Sequence, residues 1–307
     1  MLIKNHNTNL IQNALYSIEI SSDSGFCFGV INAIDKAETI LNNNETLYCV
    51  GDIVHNEQEI KRLESMGMNI IPIDDSLKLS NQTILFRAHG EPKASYNKVK
   101  IGKNNLIDAT CPIVLALQDK IAKAYSSSIK NNSQIIIFGK KTHPEVIALL
   151  DKTENNGIVI EQINDIDFID FLKPIEIFSQ TTKAPKEYQE ICEKIKFKSK
   201  NTLKIHDTIC KQVSSRGEKL QEFSKTKEVV YFVGGAKSSN SKVLFSLCKQ
   251  VNSNTYFIES ERDIDSKILY NKTKIGICGA TSTPQWLMQK VMQFVDSEMK
   301  QIMSGIT

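Results

Sequence analysis

Apolar residues along the chain fall into two alternating periods. Residues 29–42 place Val30, Ile31, Ile34, Ala37, Ile40 and Leu41 at helical spacing. Six short runs follow: "TLYCVG" 46–51, "TILFRA" 83–88, "QIIIFG" 134–139, "PIEIFS" 174–179, "EVVYFVGG" 228–235 and "KIGICG" 274–279. They are β-branched or aromatic and end in glycine or a small polar residue, which predicts buried parallel strands. Strands alternating with helices predict an α/β protein. Each run hands over to a polar cluster: "DIVHN" 52–56, "RAHGEP" 87–92, "KKTHPE" 140–145, "SQTTKAP" 179–185, "AKSSNS" 236–241 and "ATSTP" 280–284. Five of the seven prolines, Pro92, Pro112, Pro144, Pro185 and Pro284, stand where a helix should begin, a position that tolerates the missing N–H. The polar clusters therefore fall at strand C-termini and helix N-termini. Ligands bind there in α/β folds, and unpaired N–H groups there favour an anion.

Three cysteines share a setting. "Asp-Ala-Thr-Cys-Pro" at 108–112 and "Asp-Thr-Ile-Cys" at 207–210 each end a β-like run with a cysteine three residues after an aspartate, and "Asp-Ser-Gly-Phe-Cys" at 23–27 comes close. After Cys27 come the loops with His55 and His89, after Cys111 those with His143 and Thr181, and after Cys210 those with Ser238 and Ser282. This recurrence predicts three related α/β units around a pseudo-threefold centre. Their expected bounds are 28–110, 111–206 and 207–298, with a strand in 15–27 completing the third and 299–307 as a tail.

Composition narrows the function. A chain of 307 residues with 41% hydrophobic content can bury a large core. Its net charge of +3 comes from interspersed lysines and acids, which gives no footprint for nucleic acid. No apolar run reaches the length of a membrane span, and the first residues lack an apolar signal core. A cytoplasmic protein with reduced thiols is expected, its seven cysteines available as metal ligands. Cys49, Cys192, Cys248 and Cys278 lie within apolar runs and read as core. Three thiolates on one centre suit zinc or an iron–sulfur cluster. Structural zinc usually takes close pairs such as C-x2-C, which this chain lacks. A four-iron cluster on three cysteines would leave one iron open as a Lewis acid.

In order across residues 25–284, the runs "GFCFGV", "VGDIVHN", "FRAHG", "DATCP", "THPEV", "SQTT", "DTIC", "KSSNS" and "TSTP" resemble the 4-hydroxy-3-methylbut-2-enyl diphosphate reductases, last enzymes of the non-mevalonate isoprenoid pathway. The resemblance implies three α/β units in a pseudo-threefold (trefoil) arrangement around one [4Fe-4S] cluster with three cysteine ligands, Cys27, Cys111 and Cys210. It implies that His55, His89, His143, Ser238, Ser239, Asn240 and Ser282 bind the diphosphate. Thr181 would contact the substrate hydroxyl and Glu145 would supply the proton. Two electrons and two protons would remove that hydroxyl from its place on the non-cysteine iron. The products would be isopentenyl and dimethylallyl diphosphates, and ferredoxin or flavodoxin would be the electron donor.

Taken singly, each histidine is as well explained by capping or packing, and Glu145 by the favourable dipole of a first helical turn. His6 and His206 match no motif and are expected to be structural. The family pattern is departed from in "IALLD" after "HPEV", at Val213 and "RG" 216–217, and in the order Gly279-Ala280-Thr281. The alternative is a non-catalytic iron–sulfur redox or diphosphate sensor. A sensor would need the cysteines but not Glu145 and Thr181, and both are present. A zinc hydrolase finds no H-E-x-x-H spacing to support it.

Overall fold

The computed structural model of the chain describes residues 9–305, so His6 lies outside the described residues. Two short strands come first, β1 (Leu10–Gln12) and β2 (Ser17–Ile20). Next are α1 (Phe28–Leu41), β3 (Leu47–Val50), α2 (Glu57–Ser65), β4 (Met68–Ile71), β5 (Thr83–Phe86), α3 (Lys93–Ile101) and β6 (Asn105–Asp108). The chain continues through α4 (Pro112–Asn131), β7 (Gln134–Phe138), α5 (Pro144–Asp151), β8 (Ile158–Ile160), β9 (Ile175–Ser179), α6 (Pro185–Lys198) and β10 (Leu203–Ile205). It closes with α7 (Lys211–Lys225), β11 (Val229–Val233), α8 (Ser239–Val251), β12 (Thr255–Ile258), β13 (Lys274–Gly279) and α9 (Gln285–Ser304).

These strands form three sheets, ordered β4-β3-β5-β6, β10-β9-β7-β8 and β1-β2-β13-β11-β12. All pairings are parallel except β1 with β2. Contacts divide the chain into two compact units. Among the described residues, 9–27, Val54–Lys61 and 215–305 form the first; Phe28–Ile53 and Arg62–Ser214 form the second. The five-stranded sheet belongs to the first unit and both four-stranded sheets to the second.

All six apolar runs are strands, and they are the central pairs: β3 with β5, β7 with β9, β11 with β13. A central strand is covered on both faces and flanked on both edges, so its sequence can be apolar throughout, as in the fully buried Val229–Val233. Strands β1, β4, β8 and β12 are partly exposed edge strands of three or four residues, and the sequence pattern does not single them out although Ile158–Ile160 is apolar throughout. The β-like runs before Asp108 and Asp207 are β6 and β10. Pro112, Pro144 and Pro185 take the first helical position of α4, α5 and α6, while Pro92 and Pro284 stand one residue earlier, as N-caps of α3 and α9.

In the first unit, Leu287, Met288, Val291, Met292, Val295 and Met299 of α9 pack against Tyr231, Ile275 and Ile277 of the sheet. Burying each such side chain stabilises the unit by about 1.5–3 kcal/mol. That stripe carries the helix through residues 299–304, where a tail is expected from the sequence: Met299 is wholly buried, and the helix stops only at left-handed Gly305 (φ 70°). No helix among the described residues is long and apolar enough to cross a membrane.

Within each sheet the central strands are adjacent and parallel, so their two polar loops leave the same end side by side. Each cysteine follows a strand beside that pair: Cys27 after β2, Cys111 after β6 and Cys210 after β10.

Candidate functional site

The three cysteines are held alike. The N–H of Cys111 donates to the carbonyl of Ala88 after β5 (3.0 Å), that of Cys210 to Thr181 after β9 (2.9 Å), and that of Cys27 to Thr281 after β13 (3.3 Å). Each cysteine thus bonds to the loop after the neighbouring central strand of its own sheet, not to the loops with which the sequence register groups it. All three are partly exposed, whereas Cys49, Cys192, Cys248 and Cys278 are buried. None of the seven is in a disulfide. Each stands at the start of a helix, Cys27 before α1, Cys111 before α4 and Cys210 before α7.

The turns before them are built differently. Asp108 accepts from Thr110 N–H (2.8 Å) and from the Tyr96 hydroxyl (2.7 Å), and Lys36 Nζ holds the Asp108 carbonyl (2.7 Å). Before Cys210 the same work falls to Thr208, whose hydroxyl bridges Ser179 N–H (2.7 Å) and carbonyl (2.8 Å). Asp23 instead pairs with Lys219 (2.6 Å). A β-carbon at Gly29 would stand 2.7 Å from Cys111 Sγ, so glycine there leaves room around that sulfur. Soft thiolates at helix starts, with space at the sulfur, fit an iron–sulfur cluster.

The second unit also gathers His89, His143, Glu145 and Thr181. His143 caps α5, its Nδ1 accepting from Glu145 N–H (3.1 Å); the neutral ring therefore carries its proton on Nε2 and can donate from there. The rings of His89 and His143 meet edge to face at 5.2 Å. Glu145, 1% exposed, accepts from Thr181 N–H at one oxygen (2.7 Å) and from Thr181 Oγ1 at the other (2.8 Å). Burial pushes this carboxyl up to about 7, against the lowering effect of those two bonds. The residues "IALLD" after it bury Ala148 and Leu149, which seats α5 on Leu117, Ile121 and Phe178.

The first unit gathers His55, Ser238, Ser239, Asn240 and Ser282. Ser238 caps α8 by accepting from Ser241 N–H (3.2 Å), and Ser282 Oγ donates to Ser238 Oγ (3.3 Å). Asn240 Nδ2 donates to Thr281 Oγ1 (2.7 Å), while its buried Oδ1 has no partner. Turning the amide over would let the Thr281 hydroxyl donate and release Nδ2 for an anion. The His55 loop passes so near Gly235 that a β-carbon there would lie 2.2 Å from the His55 carbonyl oxygen.

Two supports have no role assigned to them by the motifs. Thr281, in the altered Gly279-Ala280-Thr281 order, both orients Asn240 and holds Cys27. Arg216, in "RG", donates through Nη1 to the carbonyl of Gly25, fixing the turn before Cys27 at a residue with φ 99°. Neither carries a local signal, because each partner is distant in sequence. His206 pairs with Glu176 (2.8 Å) and stacks on Phe178 at 4.1 Å.

The family model described as LytB protein matches residues 18–296. A 4-hydroxy-3-methylbut-2-enyl diphosphate reductase of Bacteroides thetaiotaomicron is 47% identical over 279 residues, covering 90% of this chain and 96% of that protein. The protein of the same name from Porphyromonas gingivalis is 44% identical over 282 residues, covering 91% and 98%. Among solved structures, the E-1-hydroxy-2-methyl-but-2-enyl-4-diphosphate reductase from Plasmodium falciparum matches with a TM-score of 0.78 and 28% identity, over 90% of this chain and 86% of that one. An (E)-4-hydroxy-3-methyl-but-2-enyl diphosphate reductase, described as the terminal enzyme of the non-mevalonate pathway, matches with a TM-score of 0.70 and 30% identity, over 91% and 99%.

Proposed function

The chain belongs to the LytB protein family, and from that premise we infer that it reductively dehydroxylates 4-hydroxy-3-methylbut-2-enyl diphosphate, giving isopentenyl and dimethylallyl diphosphates. The allylic C–O bond breaks, two electrons and two protons are taken up, and the oxygen leaves as water. Cys27, Cys111 and Cys210 would hold one [4Fe-4S] cluster. When bound, it supplies the electrons and one iron without a cysteine as a Lewis acid. An external ferredoxin or flavodoxin would refill it.

The buried pairing of Glu145 with Thr181 carries the reading. Hydroxide is a poor leaving group, so a proton must reach the departing oxygen. A carboxyl pushed up to about 7 keeps that proton near neutral pH. Thr181 Oγ1, bonded to Glu145, serves as the relay between the acid and the hydroxyl. The Thr181 carbonyl also accepts from Cys210 N–H, so one residue fixes both the acid and a ligand. A diphosphate needs several inward donors. His143 through Nε2, His55, His89, Ser238, Ser239, Asn240 and Ser282 are the proposed set. A sensor would have no use for an acid held in this way.

Replacing Glu145 by Gln keeps the shape and removes the acid. Turnover is expected to fall by about two to four orders of magnitude, with the visible absorption of the cluster and the affinity for substrate retained. Near-normal turnover in that variant would return Glu145 to a helix-capping role.

A further inference from the structure

The helix that leaves one cysteine bears on the turn of another. Helix α1 follows Cys27. Its Gly29 and Lys36 are two helical turns apart and so share a face, and both meet the turn that ends in Cys111. Gly29 lies against Cys111 Sγ, and Lys36 Nζ donates to the Asp108 carbonyl (2.7 Å). Helix α7 follows Cys210, and its Arg216 donates through Nη1 to the Gly25 carbonyl, in the turn that ends in Cys27.

Helix α4 follows Cys111, and there the cycle is open. Lys120 stands nine residues after Cys111, as Lys36 stands nine after Cys27. It lines a groove of about 340 Å³ together with Asp207, Thr208 and Cys210. Lys120 is exposed, however, and the turn before Cys210 is closed by the neutral hydroxyl of Thr208 instead. Two of the three turns are therefore braced by a cation, and one is not.

Lys36 and Arg216 are half-buried, so salt screens their charge less than at an open surface. The acids of the two turns have partners of their own. Asp108 accepts from Thr110 and Tyr96, and Asp23 pairs with Lys219. Lys36 in addition offsets the Asp108 carboxylate, which would otherwise stand as a bare negative charge three residues from a thiolate.

We propose that Lys36 and Arg216 are positioning residues of the metal centre, which act through the Cys111 and Cys27 turns to hold two ligands and raise the centre's reduction potential. The proposal rests on the reading of Cys27, Cys111 and Cys210 as ligands of one four-iron cluster. Three thiolates outweigh the positive charge of such a core, so the centre is negative already, and an electron taken from a reductant makes it more so. A fixed cation beside a ligand favours the state with the added electron. Net charge and the bonding around the ligands are what set the potential of an iron–sulfur centre.

The test is a redox titration of anaerobically reconstituted protein with dithionite, followed by visible absorption and electron paramagnetic resonance. It compares wild type with Lys36→Gln, Arg216→Gln, Lys36→Arg and Lys120→Gln. At the potential where wild type is half reduced, Lys36→Gln and Arg216→Gln should each show a reduced-to-oxidised ratio about tenfold lower, which is 59 mV for a one-electron couple. Lys36→Arg, which keeps the charge, and Lys120→Gln, which removes an exposed one in the same register, should stay within twofold of wild type. The two braces are changed separately, so if one variant fails to take up a cluster the other decides. Potentials unmoved in Lys36→Gln and Arg216→Gln, or lowered as much by Lys120→Gln, overturn the proposal while the cluster reading stands. A wild type that holds no cluster after reconstitution overturns the cluster reading itself.

Discussion

Both oxygens of Glu145 are taken by Thr181, and no charged partner is among the causes that move this carboxyl. Its raised value fixes the sign of the pH dependence. A folded-state value near 7, against an ordinary 4.5, means that the folded protein binds this proton more tightly than the unfolded chain does. The stability gained is whole below pH 4.5 and is lost as the pH rises through about 7, on the order of 3 kcal/mol across the window. Thermal midpoints of wild type and Glu145→Gln, followed from pH 4.5 to 8, should diverge, with wild type falling more steeply. Turnover of the wild type should lose its acid limb above pH 7. At Gly235 the issue is space: a methyl group would collide with backbone of the His55 loop, which has little freedom to yield. Gly235→Ala is expected to cost about 1–3 kcal/mol and to raise KM more than it lowers kcat, as steady-state kinetics and thermal melts would report. Residues of this kind were only partly legible in the sequence. Spacing alone makes Glu145 a first-turn carboxylate, and it took the resemblance to suggest an acid, because Thr181 lies 36 residues away. For Arg216 and Thr281, the resemblance assigns no role.

At the scale of elements, the pattern of apolar runs was enough to find the central strands and the start of most helices. A strand enclosed on all sides must be apolar over its whole length, and a proline marks a first turn without regard to tertiary contacts. The partly exposed edge strands β1, β4, β8 and β12 run only three or four residues, too short for the pattern to single them out. The bond from each cysteine N–H to a strand-end carbonyl gives a common scaffold to three otherwise different turns, and it separates these thiols from the four in the core. Cys27→Ser, Cys111→Ser and Cys210→Ser should each abolish the brown colour of anaerobically reconstituted protein, while Cys49→Ser and Cys248→Ser should leave the absorption spectrum intact. Colour persisting in all three of the first group would remove them as ligands.

For the molecule as a whole, the proposed ligands come from three different sheets, so holding a cluster is also a folding term. Stripping iron with a chelator under reducing conditions should lower the thermal midpoint by several degrees or more. Reconstitution should restore it, and a midpoint indifferent to iron would speak against a resident cluster. The pairing of β2 with β13, far apart in sequence, carries a further consequence, for biosynthesis. Residues 17–20 of β2 find their parallel partner only in residues 274–277 of β13, and Cys27 finds its carbonyl only in Thr281. On a ribosome adding about 5–20 residues per second, Cys27 waits on the order of tens of seconds for its scaffold, until the segment with Thr281 has been made. Both four-stranded sheets can close in the meantime, so a chain at that stage presents Cys111 and Cys210, two of the three proposed ligands, but no seated Cys27.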